Sequence, residues 1–343
     1  MKKIRINFAD FWNGFNPTDN FIYNTLKKRY EIEIAEQPDY LFFSVFGESN
    51  LQYDCIKIFY TGENQSPDFN LTDYAVGFEK LEFGDRYLRF PYCYVQSSSR
   101  RLESKHLQPA KAAEKEFFCN FIYSNNNANP IRDKFLDALS QYRPVQSAGR
   151  WRNNVGGPVA DKLAYQSRCK FSIAFENCSH PGYITEKLCD AFAAGTVPIY
   201  WGDPTVAETF NPHSFINCND FASIDEVVAR VKEVDADDAL YQKMMETPAL
   251  QPGALTYEDN YSRLEEFLSN IMEQDPASAR RFSRDYWQRR YAERRKAYLK
   301  AFGNSPRGIA ERIYKKFFDK KRGSGKLRWA LDRFLKKRVL RNS

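Results

Sequence analysis

The sequence predicts an α/β protein built on parallel sheets, and three observations predict it. Residues 171–203 read as strand, polar loop, helix, strand. Two apolar runs rich in β-formers, 171–175 and 197–201, flank a helical stretch over 183–194. In that stretch Ile184, Leu188, Ala191 and Phe192 fall on one arc at about 100° per residue, and Gly195 closes it. This is a βαβ unit, the building block of parallel sheets. The second observation is a repeat of the pattern over 117–142: strand 117–123, a loop of Ser124 and three asparagines, a turn at Asn129-Pro130, and a helix over 131–142. The third is length, since 343 residues at about 150 per domain hold two cores.

In chain order, the first third alternates strands and helices. Residues 3–8 form a strand, followed by an aromatic loop over 10–16, a helix over 19–29, and strands over 30–35, 40–45 and 55–60. The last strand ends in Gly62, Glu63 and Asn64 before a turn at Pro67, and another strand with a Tyr/Arg-rich segment follows. Residues 102–116 are polar and poor in large apolar groups, which reads as a linker. Beyond 142 come a loop over 145–154, a helix over 161–169, the central unit, and amphipathic helices over 223–232 and 257–274. Residues 284–302 form a longer charged helix with no heptad. In the tail, Ile309, Ile313 and Phe317 recur at i, i+4, i+8, and after Gly323-Ser324-Gly325 an apolar stripe resumes with Leu327, Leu331 and Leu335. Two basic amphipathic helices of this kind suit an anionic lipid surface, the alternatives being packing on the body or disorder. The domains are thus placed at 1–113, 114–275, a charged connector 276–306, and a membrane-surface tail 307–343.

Composition excludes several classes. The net charge of +7 resides in the tail, where 307–343 carries 14 lysines and arginines against three acidic residues, so the rest is net negative. A nucleic-acid binder spreads its basic residues over a folded face instead. No stretch approaches about 20 apolar residues, and MKKIRINFADFWNG turns polar too early for a signal peptide, so neither a membrane span nor export is expected. Seven irregularly spaced cysteines, several in apolar patterns, read as buried thiols of a reducing compartment. Only His106, His180 and His213 are available, with no Cys/His cluster, so no metal site is expected. Asp235-Ala236-Asp237 is a formal D-x-D inside a charged helical stretch, and reads as an accidental match on a solvated face.

The chemistry concentrates at the loops after strands. Tyr183, Glu186 and Lys187 have i, i+3, i+4 spacing near the start of a helix that follows a strand, where open α/β sheets bind anionic ligands. There Lys187 suits a phosphate and Glu186 sugar hydroxyls; the alternative is a solvated surface pair. Glu63 directly follows a strand and should face the cleft from the N-terminal half, where one carboxylate can take a proton from an attacking hydroxyl. A turn-capping role beside Asn64 and Ser66 is the alternative, and Glu79, Glu82 and Asp85 are other carboxylates nearby. Arg132, at the start of helix 131–142, can fork onto a diphosphate, or merely decorate a helix surface.

The motif FENCSHPGYITEKL at 175–188, followed by GTVPIYWG at 195–202, resembles the signature of the α1,3/4-fucosyltransferases, glycosyltransferase family 10. The His-Pro before Gly182 is similar to animal members, while IYWG and the remainder are more similar to bacterial ones. The resemblance covers roughly 56–221, and the seven-residue repeats of some bacterial members are missing. It implies a GT-B arrangement of two Rossmann-like αβα domains facing across a cleft, plus basic amphipathic C-terminal helices. It further implies inverting transfer of L-fucose from GDP-fucose to the 3-hydroxyl of N-acetylglucosamine or glucose in a lactosamine-type or lipid-linked glycan, making Lewis x-type structures in surface polysaccharide. Residue by residue, it implies Glu63 as the base and Arg132 on the pyrophosphate. Ser124 and Asn125 would touch the nucleotide, Asn177 the donor near its phosphates, and Tyr183 the phosphates or fucose. Glu186 would meet the ribose hydroxyls and Lys187 the departing diphosphate. No cofactor is expected, and the enzyme would work at the inner face of the cytoplasmic membrane. Two other readings are a related GDP-sugar transferase of different linkage or acceptor, and a non-catalytic glycan- or membrane-binding protein on the same fold.

Overall fold

The computed structural model describes residues 1–107, 110–282, 286–304 and 308, and the chain forms two compact units, 1–281 and 282–343. The first unit holds two all-parallel sheets. The N-terminal sheet contains β1 (Lys2–Ala9), β2 (Tyr30–Ile34), β3 (Tyr40–Phe43), β4 (Ile56–Tyr60), β5 (Tyr74–Gly77) and β6 (Tyr87–Arg89), in the order 2-1-3-4-5-6. Helix α1 (Phe21–Leu26) connects β1 to β2, and its N-cap Asn20 accepts from Tyr23 N. Strands β3, β4 and β5 are buried along their whole length, hence their mainly apolar sequences, interrupted in β4 by the buried Lys57.

The second sheet contains β7 (Phe117–Phe121), β8 (Val145–Ser147), β9 (Cys169–Phe175), β10 (Val197–Trp201) and β11 (Ile216–Asn217), in the order 11-10-9-7-8. Its helices are α2 (Ile131–Ser140), α3 (Lys162–Gln166), α4 (Glu186–Ala193), α5 (Ile224–Ala236) and α6 (Asp238–Glu246). The two predicted strand–loop–helix units are β7-loop-α2 and β9-loop-α4. Helix α4 starts three residues after Tyr183, later than its apolar spacing suggests. The cause is Glu176: its carboxylate accepts from Thr185 N and Thr185 Oγ, both at 2.7 Å, and holds Thr185 extended as the N-cap. Tyr183 therefore stands in the loop and not on one helical arc with Glu186 and Lys187.

Helix α7 (Tyr257–Glu273), placed by sequence with the second domain, buries its apolar face in the first. Leu264, Leu268, Ile271 and Met272 share a core with Ile4, Ile22, Leu26 and Tyr30. Each such side chain contributes about 1.5–3 kcal/mol of burial. Polar contacts rivet the same face: Tyr30 donates to Glu273 at 2.8 Å, and Arg29 pairs with Glu265 at 2.6 Å. The short helix α8 (Pro276–Ala279) follows, and Arg281 N donates to Asp73 of the first half. This return of the chain binds both sheets into one compact unit.

Asp235 corrects the sequence reading of a solvated face. Its side chain is 2% exposed and sits 2.7 Å from Arg143 Nη1 and 2.9 Å from Lys170 Nζ, with Tyr142 donating at 3.0 Å. Asp237 is the N-cap of α6, accepting from Ala239 N and Leu240 N. The D-x-D thus closes one helix and opens the next. Burial works to raise the Asp235 carboxyl, but Arg143 and Lys170 outweigh it and hold it below its ordinary 3.8. Its stabilisation is therefore full above that value and lost as pH falls below it. Asp235→Ala is expected to destabilise the fold by about 3 kcal/mol, because Lys170 stays buried without its near partner. Urea denaturation at pH 7 checks this.

All seven cysteines are thiols, six of them buried and Cys178 half-buried. In the second unit the helix α9 (Tyr286–Asn304) is described. The two tail helices expected over 307–343 lie outside the described residues, Gly308 excepted. Among the described residues, no helix is long and apolar enough to cross a membrane.

Candidate active site

Each sheet has a point where strand order reverses, so that successive connections leave on opposite faces and open a crevice at the strand ends. In the first sheet this lies between β1 and β3, in the second between β7 and β9. A cleft of about 600 Å³ is lined by the loops of both. All eight residues singled out from the sequence line it: Glu63 from the first half, and Ser124, Asn125, Arg132, Asn177, Tyr183, Glu186 and Lys187 from the second. The halves close on each other beside it. Gly182 has φ +83°, and a Cβ there would lie 2.5 Å from Phe78 O, so only glycine allows this approach. Asn64 Nδ2 also reaches Cys178 Sγ at 2.9 Å across the cleft edge.

Arg132 is the charge without a counter-charge. It is 2% exposed, at the start of α2, with its guanidinium 4.3 Å from the Tyr123 ring centroid. Nη2 donates to Asn125 O at 2.6 Å and Nη1 to Asn177 Oδ1 at 3.4 Å. Nε is buried with no hydrogen-bond partner, and Arg132 makes no ion pair among the described residues. Burial lowers its pKa, opposed by Tyr123 and Asp133, yet a guanidinium remains charged at neutral pH. A buried cation aimed at a cleft and stacked on an aromatic ring, with a donor to spare, is built for an anion. The loops that carry it are joined, since Asn129 N donates to Asn177 O at 2.7 Å.

Lys187 is differently placed from its sequence reading as a simple phosphate-holding cation. Its ammonium lies 3.2 Å from Glu176 Oε2, 3.5 Å from Glu186 Oε1 and 2.8 Å from Thr185 Oγ. Burial opposes its charge, but the two carboxylates outweigh that and hold its pKa above the ordinary lysine value. Glu176 is fully buried; burial pushes its carboxyl up while Lys187 and Thr185 pull it back. For Glu186, burial is outweighed by Lys187 and Lys162, which keep it below the ordinary range. Lys162, also in the cleft, is neutralised by Asp190 at 2.7 Å. On the second wall Lys162 and Lys187 are therefore already engaged by carboxylates, whereas Arg132 forms no ion pair among the described residues.

Glu63 stands opposite, in the turn after β4. Its N–H donates to Thr61 Oγ at 2.9 Å, and its side chain is exposed to the cleft. Neighbouring Gly62 lies under Tyr92, whose ring carbon a Cβ would approach to 2.6 Å. Of the other carboxylates considered, Glu79 accepts from Ser66 Oγ and sits 3.8 Å from His180, away from the cleft lining. Sequence reasoning passed over Glu176, although a carboxylate that ends a buried strand was signal enough. Lys162, Tyr92, Trp12 and Phe46 gave no comparable signal.

Known proteins share this fold. The model of the alpha-(1,3)-fucosyltransferase FucT N-terminal domain matches residues 6–96, and that of the glycosyltransferase family 10 (fucosyltransferase) C-terminal part matches 112–247. Alpha-(1,3)-fucosyltransferase FucT of Helicobacter pylori is 34% identical over 320 residues, covering 79% of this chain and 66% of that one. Mouse 4-galactosyl-N-acetylglucosaminide 3-alpha-L-fucosyltransferase 9 is 38% identical over 131 residues, 37% of this chain and 36% of the mouse protein. The chain thus spans less than two thirds of the length of either. A crystal structure of an alpha1,3-fucosyltransferase with GDP-fucose matches with a TM-score of 0.68 and 32% identity, over 80% of this chain and 92% of that one. With two facing Rossmann-like domains in the GT-B arrangement and both halves matched in order, the chain belongs to glycosyltransferase family 10, the fucosyltransferases.

Proposed function

We propose that this protein transfers L-fucose from GDP-fucose, with inversion, to the 3-hydroxyl of N-acetylglucosamine or glucose in a lactosamine-type glycan. The observation that carries the reading is the division of the cleft: a buried, unpaired guanidinium on one wall and a strand-end carboxylate on the other. Glu63 takes the proton of the acceptor hydroxyl as its oxygen attacks the anomeric carbon of fucose. The bond from that carbon to the diphosphate breaks, and the β-linked donor becomes an α-fucoside. Arg132 receives the charge that develops on GDP, with Lys187 beside it. Ser124, Asn125, Asn177, Tyr183 and Glu186 complete the donor wall. Because protein cations meet the leaving group, no divalent metal is required in this scheme. The basic tail, read from sequence, would hold the enzyme at an anionic membrane surface where lipid-linked acceptors are found.

Fucose transfer from GDP-fucose to N-acetyllactosamine, measured with and without EDTA, tests the scheme. The expected result is an α1,3-fucosylated product at unchanged rate in EDTA. Loss of activity in EDTA, restored by Mn²⁺ or Mg²⁺, overturns the metal-free part. Absence of GDP binding overturns the whole.

A further inference from the structure

The N-terminal wall of the cleft carries two exposed aromatic rings that the donor chemistry leaves unused. Trp12, in the loop after β1, is 36% exposed, and Phe46, in the loop after β3, is 51% exposed. Both line the cleft, and their loops leave the sheet on either side of its switch point. Surface aromatics scattered singly need no explanation, but these two are presented by a built support.

That support centres on Asp10. Its φ of +59° is the left-handed conformation, which costs an L-residue about 1–2 kcal/mol. In return its backbone carbonyl accepts from Phe46 N at 2.9 Å, while its carboxylate accepts from Ser49 N at 3.0 Å, Ser49 Oγ, and Asn50 N at 2.8 Å. One strained residue thereby locks the loop after β1 to the loop after β3. Gly47 is required for this, because a Cβ there would lie 2.3 Å from Asp10 Oδ1. Behind Trp12, Phe15 meets its ring edge-on at 5.1 Å and stacks on Phe11 at 4.1 Å, so the indole rests on a packed aromatic base. Rigid presentation of exposed rings reduces the ordering cost of binding.

The charge of this wall selects the ligand. Besides Trp12 and Phe46 it contributes Gly62, Glu63, Tyr92 and Gln96, with no lysine or arginine. A phosphate or carboxylate would meet only the anionic Glu63 here. The wall suits a neutral polyol with one apolar face, and the Tyr92 hydroxyl, which accepts from Gln96 at 2.8 Å, adds polar groups at its edge. A pyranose with axial C–H bonds on one face has this chemistry, and a β-galactoside presents such a face. We infer that Trp12 and Phe46 form a stacking subsite for a neutral pyranose of the acceptor, galactose in a lactosamine unit, and that Asp10 positions both loops. This deepens the acceptor reading of the same cleft and rests on it.

The test is steady-state kinetics on the full chain, varying N-acetyllactosamine and GDP-fucose separately, with acceptor-independent hydrolysis of GDP-fucose as an internal control. For Trp12→Ala with Phe46→Ala, acceptor KM is expected to rise at least about 10-fold, two stacking faces being lost, while donor KM and hydrolysis stay within about twofold. Trp12→Phe in the single background is expected to recover most of the effect of Trp12→Ala. Asp10→Ala should raise acceptor KM alone; an equal rise in donor KM overturns its positioning role. An acceptor KM within about twofold of wild type for the double variant overturns the subsite. Should wild type hydrolyse GDP-fucose but not fucosylate N-acetyllactosamine, the acceptor reading fails separately. Saturation-transfer NMR with methyl β-galactoside then decides the subsite: signal through wild type but not the double variant supports it, and equal signal overturns it.

Discussion

Arg132→Ala is expected to lower turnover about 10²–10³-fold and to weaken GDP binding, with acceptor KM nearly unchanged. The first figure is the usual cost of removing one preorganised donor from a developing charge. Arg132 qualifies because it is held before any ligand arrives: stacked on Tyr123, tied to Asn125 O, and buried with Nε unspent. The same facts predict an unusual stability effect. A buried guanidinium without a carboxylate is a cost to the empty protein, so Arg132→Met should leave the melting temperature of the ligand-free protein unchanged or higher. GDP should raise the melting temperature of wild type clearly and that of the variant little, since stabilisation follows the logarithm of ligand over Kd. Differential scanning fluorimetry with and without GDP reads both. If the variant loses stability yet keeps its GDP shift and turnover, Arg132 is a structural residue and the leaving-group role is wrong.

What the sequence made legible here was local, and what it hid was long-range. The strand–loop–helix units at 117–140 and 169–193 could be read because apolar period and turn residues act within a few positions. The residues at their loops could be named for the same reason: a strand end in an open parallel sheet is where ligands bind. Strand order was not legible, so neither switch point could be located, and Trp12 and Phe46 remained an aromatic loop and a strand end. The amphipathic period of α7 announced a buried face without saying which core would bury it; packing against α1 and β1 answers that. Helix α4 starts late because Glu176, nine residues before Thr185, takes the N–H and hydroxyl that a periodic reading assigns to the helix. Asp235 looked solvated because its partners Arg143 and Lys170 are distant in sequence.

Glu63→Gln is expected to reduce fucose transfer by about 10²–10⁴-fold, the span over which general bases contribute, while GDP affinity stays at the wild-type value. The separation follows from position. Glu63 belongs to the first half, across the cleft from Arg132, and its turn is set by Thr61 Oγ rather than by any cation of the donor wall. Glutamine preserves shape and hydrogen-bonding reach, so the loss isolates the proton-accepting oxygen. Glu79→Gln is the control: its carboxylate is engaged by Ser66 and lies off the cleft lining, so transfer should change less than about threefold. Single-turnover measurement with saturating GDP-fucose decides the case, because it excludes product release as the slow step. A Glu63→Gln rate equal to wild type, or a Glu79→Gln rate as low as that expected of Glu63→Gln, places the base elsewhere. In either event the acceptor hydroxyl would have to lose its proton to a group outside the turn after β4, and the division of the cleft into donor and acceptor walls would need redrawing around it.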